Sequence, residues 1–276
     1  MDFTQIGYEG TPQSMIDDLE YAKEIQANWD ATIEARNGTF ANDSKLVYCP
    51  YIDVSNATNT ASFFSGCQNL QYIPKHLDLS RSTNLIGFFQ GCTNIRKIDM
   101  SNWVFCSEPL YFRSMFRDCT SLAYVNLTNF DTSKTTSWGE YSGPSVFLNN
   151  SSLRKIDGFL DYSSAQRNGY DVTYTFSGCT KLQKLEVRNV GKHSGMTVCY
   201  FFGGSTYYNG DLHEWGENTE DIPDARESMI NTLITYSFDR ASAGYATCDL
   251  MLAESTKARL TEEEIAQITE KGYTIA

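Results

Sequence analysis

Phe116-Arg-Asp-Cys119-Thr-Ser-Leu122 is one copy of a motif that occurs seven times in this chain of 276 residues. Each copy begins with Phe and ends with Leu or Ile after five mostly polar residues, except that the last copy is degraded. We number the copies as repeats 1 to 7; they are 24 to 31 residues apart and begin at Phe40, Phe64, Phe89, Phe116, Phe147, Phe176 and Phe202. A period of this size predicts a repeat architecture in which each unit buries its apolar face against its neighbours.

A strand pattern follows most copies of this Phe motif. In repeat 4, Leu122-Ala-Tyr-Val125-Asn-Leu127 has apolar residues at its first, fourth and sixth positions, and repeats 3 and 6 show the same arrangement from Ile95 and Leu182. The fourth and sixth positions alternate as in a strand with one buried face. One strand in each repeat predicts an α/β repeat solenoid, with stacked parallel strands on one wall and buried Phe side chains on the opposite wall.

The segments on either side of the repeats have other patterns. Met15, Leu19, Ala22 and Trp29 are spaced as on one face of an amphipathic helix. We therefore expect an N-terminal helical cap over residues 1–39, the solenoid of about seven units over residues 40–213, and a C-terminal α/β cap over residues 214–276.

The C-terminal region contains several signals of secondary structure. Its apolar spacing predicts a helix over residues 227–238 and a strand over residues 247–252. Thr261 and Glu264 have the spacing of a capping box that opens a second helix. Gly272 is expected to end that helix, and residues 273–276 to return as a strand.

The cysteines favour neither disulfides nor a metal site. One position of the Phe motif is occupied in different repeats by Cys67, Cys92, Cys119, Cys179, Asp43, Asn150 and Ser205. A position that accepts small polar residues is typical of a turn, where a thiol packs as a small hydrophobe. No Cys-x-x-Cys pair occurs, and no histidine lies at ligand spacing from a cysteine. We predict buried free thiols, with no bound metal and no other cofactor.

The net charge of −12 is unevenly distributed along the chain. Residues 1–39 carry a charge of −6 and residues 206–276 carry −9, whereas residues 40–205 carry +3. Acidic ends are expected to keep the array monomeric and dissolved. No basic stripe or Arg-rich arm points to nucleic acid as a partner. No stretch approaches the roughly 18 consecutive apolar residues of a membrane helix, so membrane insertion is not expected.

The stretch from Phe116 to Ser133 resembles the repeat of BspA-like leucine-rich repeat proteins, which are common in gut Bacteroidetes and their phages and prophages. Asp53-Val-Ser-Asn-Ala-Thr58 resembles the aspartate-serine-asparagine turn of that family, and residues 243–276 are similar to a tail that often follows such arrays. The resemblance covers residues 40–205 and implies a leucine-rich-repeat solenoid. Because family members are implicated mainly in adhesion and recognition, it also implies a binding role.

The exposed positions of in-register strands would form columns along the sheet. The second column includes Arg96, and the third carries Tyr48, Tyr72, Lys97, Tyr124, Lys155 and Lys184. Exposed aromatic residues are good anchors for proteins and sugar faces, so these residues are the predicted binding face, centred on Tyr72, Arg96, Lys97 and Tyr124. In the alternative, the face is an ordinary solvated sheet whose basic residues pair with acidic residues of the fifth column, at under about 1 kcal/mol each.

No catalytic residues are predicted, because the chain contains no Gly-x-Ser-x-Gly, His-Glu-x-x-His or phosphate-binding Gly loop. We expect a non-enzymatic recognition or structural module. In one setting it is a phage or prophage virion protein that binds a protein or surface glycan of a host cell, or another virion protein. In the other it is a bacterial cell-surface adhesin whose leader is absent. The first residues do not read as a secretory signal, which favours the virion over the cell surface.

Overall fold

The structure, a computed structural model, describes residues 39–49, 52–108, 110–135, 145–164, 175–196, 198–200 and 215–276. The predicted N-terminal helical cap lies outside these ranges except for its last residue. The Phe motif of repeat 7, which begins at Phe202, also lies outside them.

The Phe side chains of repeats 1 to 6 stack in one continuous column inside the protein. Neighbouring ring centroids are 5.0 to 5.9 Å apart, and neighbouring ring planes lie within 15° of parallel. Each of these side chains is at most 2% exposed to solvent. Beside this column, Phe63 stacks on Phe88 with a centroid distance of 5.4 Å. The predicted position of the motif Phe in the core is confirmed for these six repeats.

Two positions of the Phe motif adopt left-handed backbone conformations. The second residue after the Phe has a φ of 61° to 80°, and across repeats 1 to 6 it is Asn42, Gly66, Gly91, Asp118, Asn149 or Gly178. The second residue before the Phe has a φ of 45° to 63°, and across repeats 2 to 5 it is Ser62, Gly87, Ser114 or Ser145. Gly reaches this region freely and Asn and Asp reach it at low cost, whereas the three serines adopt it against their ordinary preference. These two positions therefore hold the motif in a tight turn.

Backbone hydrogen bonds connect the turn of each repeat to the turn of the next. The amide of Phe64 donates to the carbonyl of Phe88 over 2.8 Å, and the amide of Phe89 donates to the carbonyl of Met115 over 2.8 Å. The same pattern continues from Phe116 to Val146 over 2.9 Å. The turns therefore stack along the array as the strands do, and most of each repeat is turn rather than strand or helix.

The described residues contain ten strands, all short and all paired in parallel. They are β1 (Asp78–Leu79), β2 (Lys97–Asp99), β3 (Val104–Phe105), β4 (Tyr124–Asn126), β5 (Lys155–Asp157), β6 (Leu160–Asp161), β7 (Val187–Arg188), β8 (Val198–Tyr200), β9 (Cys248–Met251) and β10 (Tyr273–Ile275). They form four separate sheets with the orders β1-β3, β2-β4-β5, β6-β7 and β10-β9-β8.

The predicted leucine-rich-repeat solenoid with one stacked parallel sheet is wrong. Instead of a continuous wall with one strand per repeat, the structure has small separate sheets of two or three strands. Tyr72 pairs with Tyr48, but within the described residues no backbone pairing joins Tyr72 to β2. Both backbone groups of Tyr72 bond to repeat 1, and Pro74, two residues further on, would face the same repeat but has no amide hydrogen to donate. The pairing of repeat 2 with repeat 1 is therefore a single bridge. Within the described parts of the repeats there is also no helix, so the α/β repeat description fails there as well.

Secondary structure in the C-terminal region follows the sequence more closely. The first helix, α1 (Ala225–Ile230), continues directly into a π-helical segment (Asn231–Thr235), in which the amide of Tyr236 donates to the carbonyl of Asn231 over 2.8 Å. The remaining helices are α2 (Glu254–Lys257) and α3 (Glu262–Glu270).

The predicted capping box is confirmed at the start of α3. The hydroxyl of Thr261 accepts from the amide of Glu264 over 3.2 Å, and the carboxylate of Glu264 accepts from the amide of Thr261 over 2.8 Å. The strand predicted at residues 247–252 is β9, and the strand predicted at residues 273–276 is β10. The helix predicted at residues 227–238 begins two residues earlier and ends at Thr235 with the π-helical turn.

A fully buried arginine joins the C-terminal region to the end of the repeats. The guanidinium of Arg240 donates to the carbonyls of Gly191, His193 and Met196 at 2.6, 2.9 and 2.7 Å, and to the carbonyl of Ala246 at 2.6 and 3.0 Å. Its planar fork suits several acceptors at once. This contact therefore holds residues 191–196 against residues 240–246 of the C-terminal region.

Candidate functional site

Four of the predicted site residues lie side by side in one row. Lys97 of β2 is the register partner of Tyr124 of β4, which is in turn the partner of Lys155 of β5. A further parallel bridge joins Lys155 to Lys184. We call Lys97, Tyr124, Lys155 and Lys184 the strand row. The backbone register places them in the column that the repeat pattern predicts.

The aromatic ring of Tyr124 lies between two ammonium groups. The Nζ of Lys97 is 5.1 Å from the ring centroid, and the Nζ of Lys155 is 5.6 Å from it. Both distances are in the range of a cation–π interaction. The Tyr124 hydroxyl donates to Oδ2 of Asp157 over 2.9 Å. Burial, and then this hydrogen bond, raise the pKa of Tyr124, so the phenol stays protonated and acts as a donor.

Asp157 is the centre of an ion-pair network that joins three residues of the strand row. Its carboxylate accepts from Nζ of Lys184 over 2.9 Å and lies 3.2 Å from Nζ of Lys155. Burial alone would raise the pKa of Asp157, but the hydrogen bonds from Lys184 and Tyr124 outweigh it, and the pKa is lowered. Lys184 has a side chain only 13% exposed and also contacts the carboxylate of Asp224. Burial alone would lower the pKa of Lys184, but its two carboxylate partners raise it overall.

The other two predicted tyrosines form a separate pair. Tyr48 and Tyr72 are joined by a parallel bridge, and their rings meet edge to face with a centroid distance of 5.8 Å. Tyr48 is buried and Tyr72 is half-buried. Tyr72 therefore presents more surface to solvent than Tyr48 does.

Arg96 and Lys97 are the most exposed basic residues of the predicted face. The side chain of Lys97 is 63% exposed, and its Nζ lies 3.9 Å from Oδ2 of Asp99, at the limit of an ion pair. Among the residues that the structure describes, no carboxylate lies within 4.0 Å of the Arg96 guanidinium. The face thus has an ion-paired end at Lys155 and Lys184 and an open end at Arg96 and Lys97.

The repeat pattern does not predict the residues that close the ion-paired end. They lie in residues 217–224, which we call the acidic segment. Gly216, just before it, donates its amide to the carbonyl of Gln183 over 3.1 Å and so continues the backbone ladder of the second column. Oδ2 of Asp221 lies 3.7 Å from Nη1 of Arg154, and Asp224 contacts Lys184. The opposite charges of the repeats and the C-terminal region are the sequence signal for this contact, but they do not indicate which residues meet.

The motif cysteines are held in a common environment. The thiols of Cys67, Cys92 and Cys119 each donate to the carbonyl of the motif Phe in the preceding repeat over 3.0 Å, and Cys179 does so over 3.1 Å. Burial raises the pKa of Cys119 and Cys179 to about 12. Since the thiolate is the reactive form, these cysteines are structural groups in the folded protein.

In the described ranges, no group of three or more His, Cys, Asp or Glu side chains is placed to hold a metal ion. None of the helices there has the length and apolar content needed to cross a membrane.

Residues 35–155 are similar to a family described as "Mycoplasma protein of unknown function, DUF285". The match spans less than half of the chain and includes the Phe motifs of repeats 1 to 5. At a coarse level it fits a BspA-like repeat family. No curated protein and no solved structure matches the chain.

Proposed function

We propose that this protein is a non-enzymatic recognition module that binds its partner through the face formed by Tyr72, Arg96, Lys97 and Tyr124. The observation that carries the proposal is the strand row, in which the backbone register sets an aromatic ring between two cations on the surface of the sheet. Aromatic rings and arginine are the side chains that dominate binding at protein interfaces. The partner in this proposal is a protein or a surface glycan of a host cell, or another virion protein.

The proposed setting is a phage or prophage virion of the gut Bacteroidetes type. Its support is the resemblance of the Phe116–Ser133 stretch to repeats that are common in those genomes. A cell-surface adhesin of the BspA-like type is the second candidate, and the match of residues 35–155 to a related repeat family is compatible with it too. Virion structural genes beside the coding sequence would favour the first setting, and a leader encoded upstream would favour the second.

The test measures binding of the full chain to envelope fractions of gut Bacteroidetes cells. The affinity for the component recovered from those fractions is then measured for each variant. Tyr72→Ala and Tyr124→Ala are expected to weaken binding by roughly tenfold each, as for a central aromatic anchor. Tyr111→Ala is the matched control, because Tyr111 is 43% exposed but belongs to a different column, paired with Asn84.

A merely structural effect must be separated from a binding effect at Tyr124. Tyr124→Phe keeps the ring between the two lysines and removes the hydrogen bond to Asp157, so it should bind nearly as well as the unmodified chain. Thermal unfolding of each variant checks that the fold is retained. Equal binding by the Tyr72→Ala, Tyr124→Ala and Tyr111→Ala proteins would refute the proposed face.

A further inference from the structure

The tetrapeptide Arg-Lys-Ile-Asp occurs twice in the chain, at residues 96–99 in repeat 3 and at residues 154–157 in repeat 5. Both copies occupy the same strand position, since β2 and β5 pair with the two edges of β4 in equivalent register. The two copies therefore present the same side chains in the same orientation on one face. They differ in what they contact.

The copy in repeat 5 is occupied by carboxylates of the chain itself. Nη1 of Arg154 lies 3.7 Å from Oδ2 of Asp221, and its Nε and Nη2 donate to Oε1 of Gln183 over 3.1 and 3.0 Å. Three residues after Asp221, Asp224 contacts Lys184 in the next repeat. The acidic segment thus binds the second and third columns with two carboxylates spaced i and i+3.

The copy in repeat 3 is open. Arg96 and Lys97 are exposed, and among the described residues the carboxylate nearest to either cation is that of Asp99, 3.9 Å from Lys97. The position that Gln183 fills beside Arg154 is filled beside Arg96 by Ala123, which has no polar side-chain atom. The Arg96 guanidinium therefore keeps its donors free of the intramolecular amide contact that Arg154 makes.

We propose that Arg96, with Lys97 beside it, forms a docking site for an acidic peptide segment of a partner protein, in the way that Arg154 receives Asp221 of this chain. The position that Lys184 has beside Arg154 is held beside Arg96 by Tyr124, so the second cation of this site is Lys97 of the same strand. This proposal rests on the proposed function and names the chemistry of its partner. A carboxylate of the partner takes the place of Asp221 on Arg96, where charge-assisted hydrogen bonds are the strong ones. The ring of Tyr124, already beside Lys97, supplies apolar contact to the peptide next to the charges.

The charge distribution supports an acidic partner. Residues 40–205 carry a net charge of +3, and the basic side chains Arg154 and Lys184 contact two carboxylates of the chain itself. At an ionic strength of 0.1 M, dissolved ions screen the attraction between exposed charges with a screening length of about 10 Å. Binding at Arg96 and Lys97 is therefore expected to be stronger at low ionic strength.

The test uses the synthetic peptide Glu217-Asn-Thr-Glu-Asp-Ile-Pro-Asp224, labelled with a fluorophore and titrated with the full chain at about 20 mM and about 150 mM salt. The variant Arg96→Gln/Lys97→Gln keeps much of the side-chain length and removes both charges. It is expected to bind the peptide roughly five- to tenfold more weakly than the unmodified chain. Arg113→Gln is the matched control, because Arg113 is exposed but lies three residues before the motif Phe of repeat 4 and outside the strands.

A second variant supplies a positive control on the intramolecular site. Asp221→Asn removes the carboxylate from Arg154, so that Arg154 becomes available to the peptide. Peptide binding is therefore expected to increase, even in the Arg96→Gln/Lys97→Gln background. A peptide in which both aspartates are replaced by Asn should not bind. Each of these results supports carboxylate recognition by the tetrapeptide.

Several outcomes would overturn the inference. They are no peptide binding at low salt, equal binding by the Arg96→Gln/Lys97→Gln and Arg113→Gln variants, and capture of a sulfated oligosaccharide at Arg96 where the peptide does not bind. The proposed function is judged separately, by whether envelope binding depends on Tyr72 and Tyr124. A chain that fails with the peptide but still binds the envelope through those tyrosines would refute the acidic-peptide site alone.

Discussion

Asn150 occupies the motif position that is Cys in four other repeats, but its side chain lacks the hydrogen bond that the cysteine thiols make. Its side chain is fully buried, and within the described residues neither its Nδ2 nor its Oδ1 has a hydrogen-bond partner. In the repeats around it, the thiol at this position donates to the carbonyl of the preceding motif Phe. A buried polar group without a partner keeps its full desolvation cost.

Asn150→Cys is expected to stabilise the protein by about 1–2 kcal/mol, because the new thiol can donate to the carbonyl of Phe116 and no amide remains buried without a partner. The free energy of unfolding from urea titration measures the change. Cys119→Asn is the reciprocal variant and should be destabilised by a similar amount. A loss of stability in Asn150→Cys would mean that residues around repeat 5 satisfy the amide.

At the scale of the elements, the close approach of β5 to the preceding repeat depends on a glycine. Gly158 follows β5 with a φ of +86°, and a Cβ atom added there would lie 2.8 Å from the carbonyl carbon of Leu127 and from the amide nitrogen of Thr128. Gly244 has a similar φ of +70° but no heavy atom within 4 Å of an added Cβ. The two glycines thus share a conformation and differ in the space around them.

Gly244→Ala is expected to cost about 1 kcal/mol, the strain of a left-handed alanine. Gly158→Ala is expected to cost roughly 2–4 kcal/mol, since the repeat backbones must also move apart. Chemical denaturation of both variants gives the comparison. If the two losses were equal, conformational strain alone would explain them and the close packing of repeats 4 and 5 would not matter.

The sequence predicts the elements well where local chemistry decides them. The capping box of Thr261 and Glu264 and the strands β9 and β10 depend on residues close together in the chain, and their positions were predicted to within one or two residues. The continuous sheet was wrong because the apolar pattern gives the buried face of each strand and not the backbone pairing between repeats. Pro74 limits the pairing of repeat 2 with repeat 1 to a single bridge, and within the described residues no pairing joins Tyr72 to β2. The apolar spacing also does not predict the π-helical turn at Asn231–Thr235.

At the scale of the whole molecule, the ion-pair network ties three repeats to the C-terminal region. Tyr124, Lys155 and Lys184 come from repeats 4, 5 and 6, Asp157 lies between them, and Asp224 immediately precedes α1. The column that contains these basic residues could be predicted from the repeat. Their acidic partner in the C-terminal region could not, because it lies 40 residues along the chain from Lys184 and belongs to no repeated pattern.

The pH dependence of stability is expected to reflect Asp157. Its pKa is lowered in the folded protein, so its contribution is fully present above the unfolded pKa of about 3.9 and is lost as pH falls through the lower folded value. Asp157→Asn should therefore be less stable at pH 7 by roughly 1–2 kcal/mol. The difference should shrink steadily below about pH 4.

Lys184 is expected to affect the stability of the protein at high pH. Its folded pKa is raised, so its contribution is present below the unfolded pKa of about 10.4 and is lost as pH rises through the folded value.

Asp99→Asn is the control for Asp157→Asn, because Asp99 ends the same tetrapeptide in repeat 3 and, among the described residues, its one ion pair is the long contact with Lys97. The hydrogen bonds that its Oδ1 accepts from the amide and hydroxyl of Ser101 can also be accepted by an asparagine oxygen. Urea titrations from about pH 2 to pH 7 measure both variants, and parallel curves for Asp157→Asn and the unmodified chain would contradict the network.

The thiol-to-carbonyl hydrogen bonds give the array a set of internal reporters. Repeats 2, 3, 4 and 6 each hold one motif cysteine that is buried and protonated while its repeat is packed against the preceding one. A repeat that opens exposes its own thiol, and a stacked array opens locally before it unfolds as a whole. The order in which an alkylating reagent modifies these cysteines therefore records where along the array the protein comes apart first.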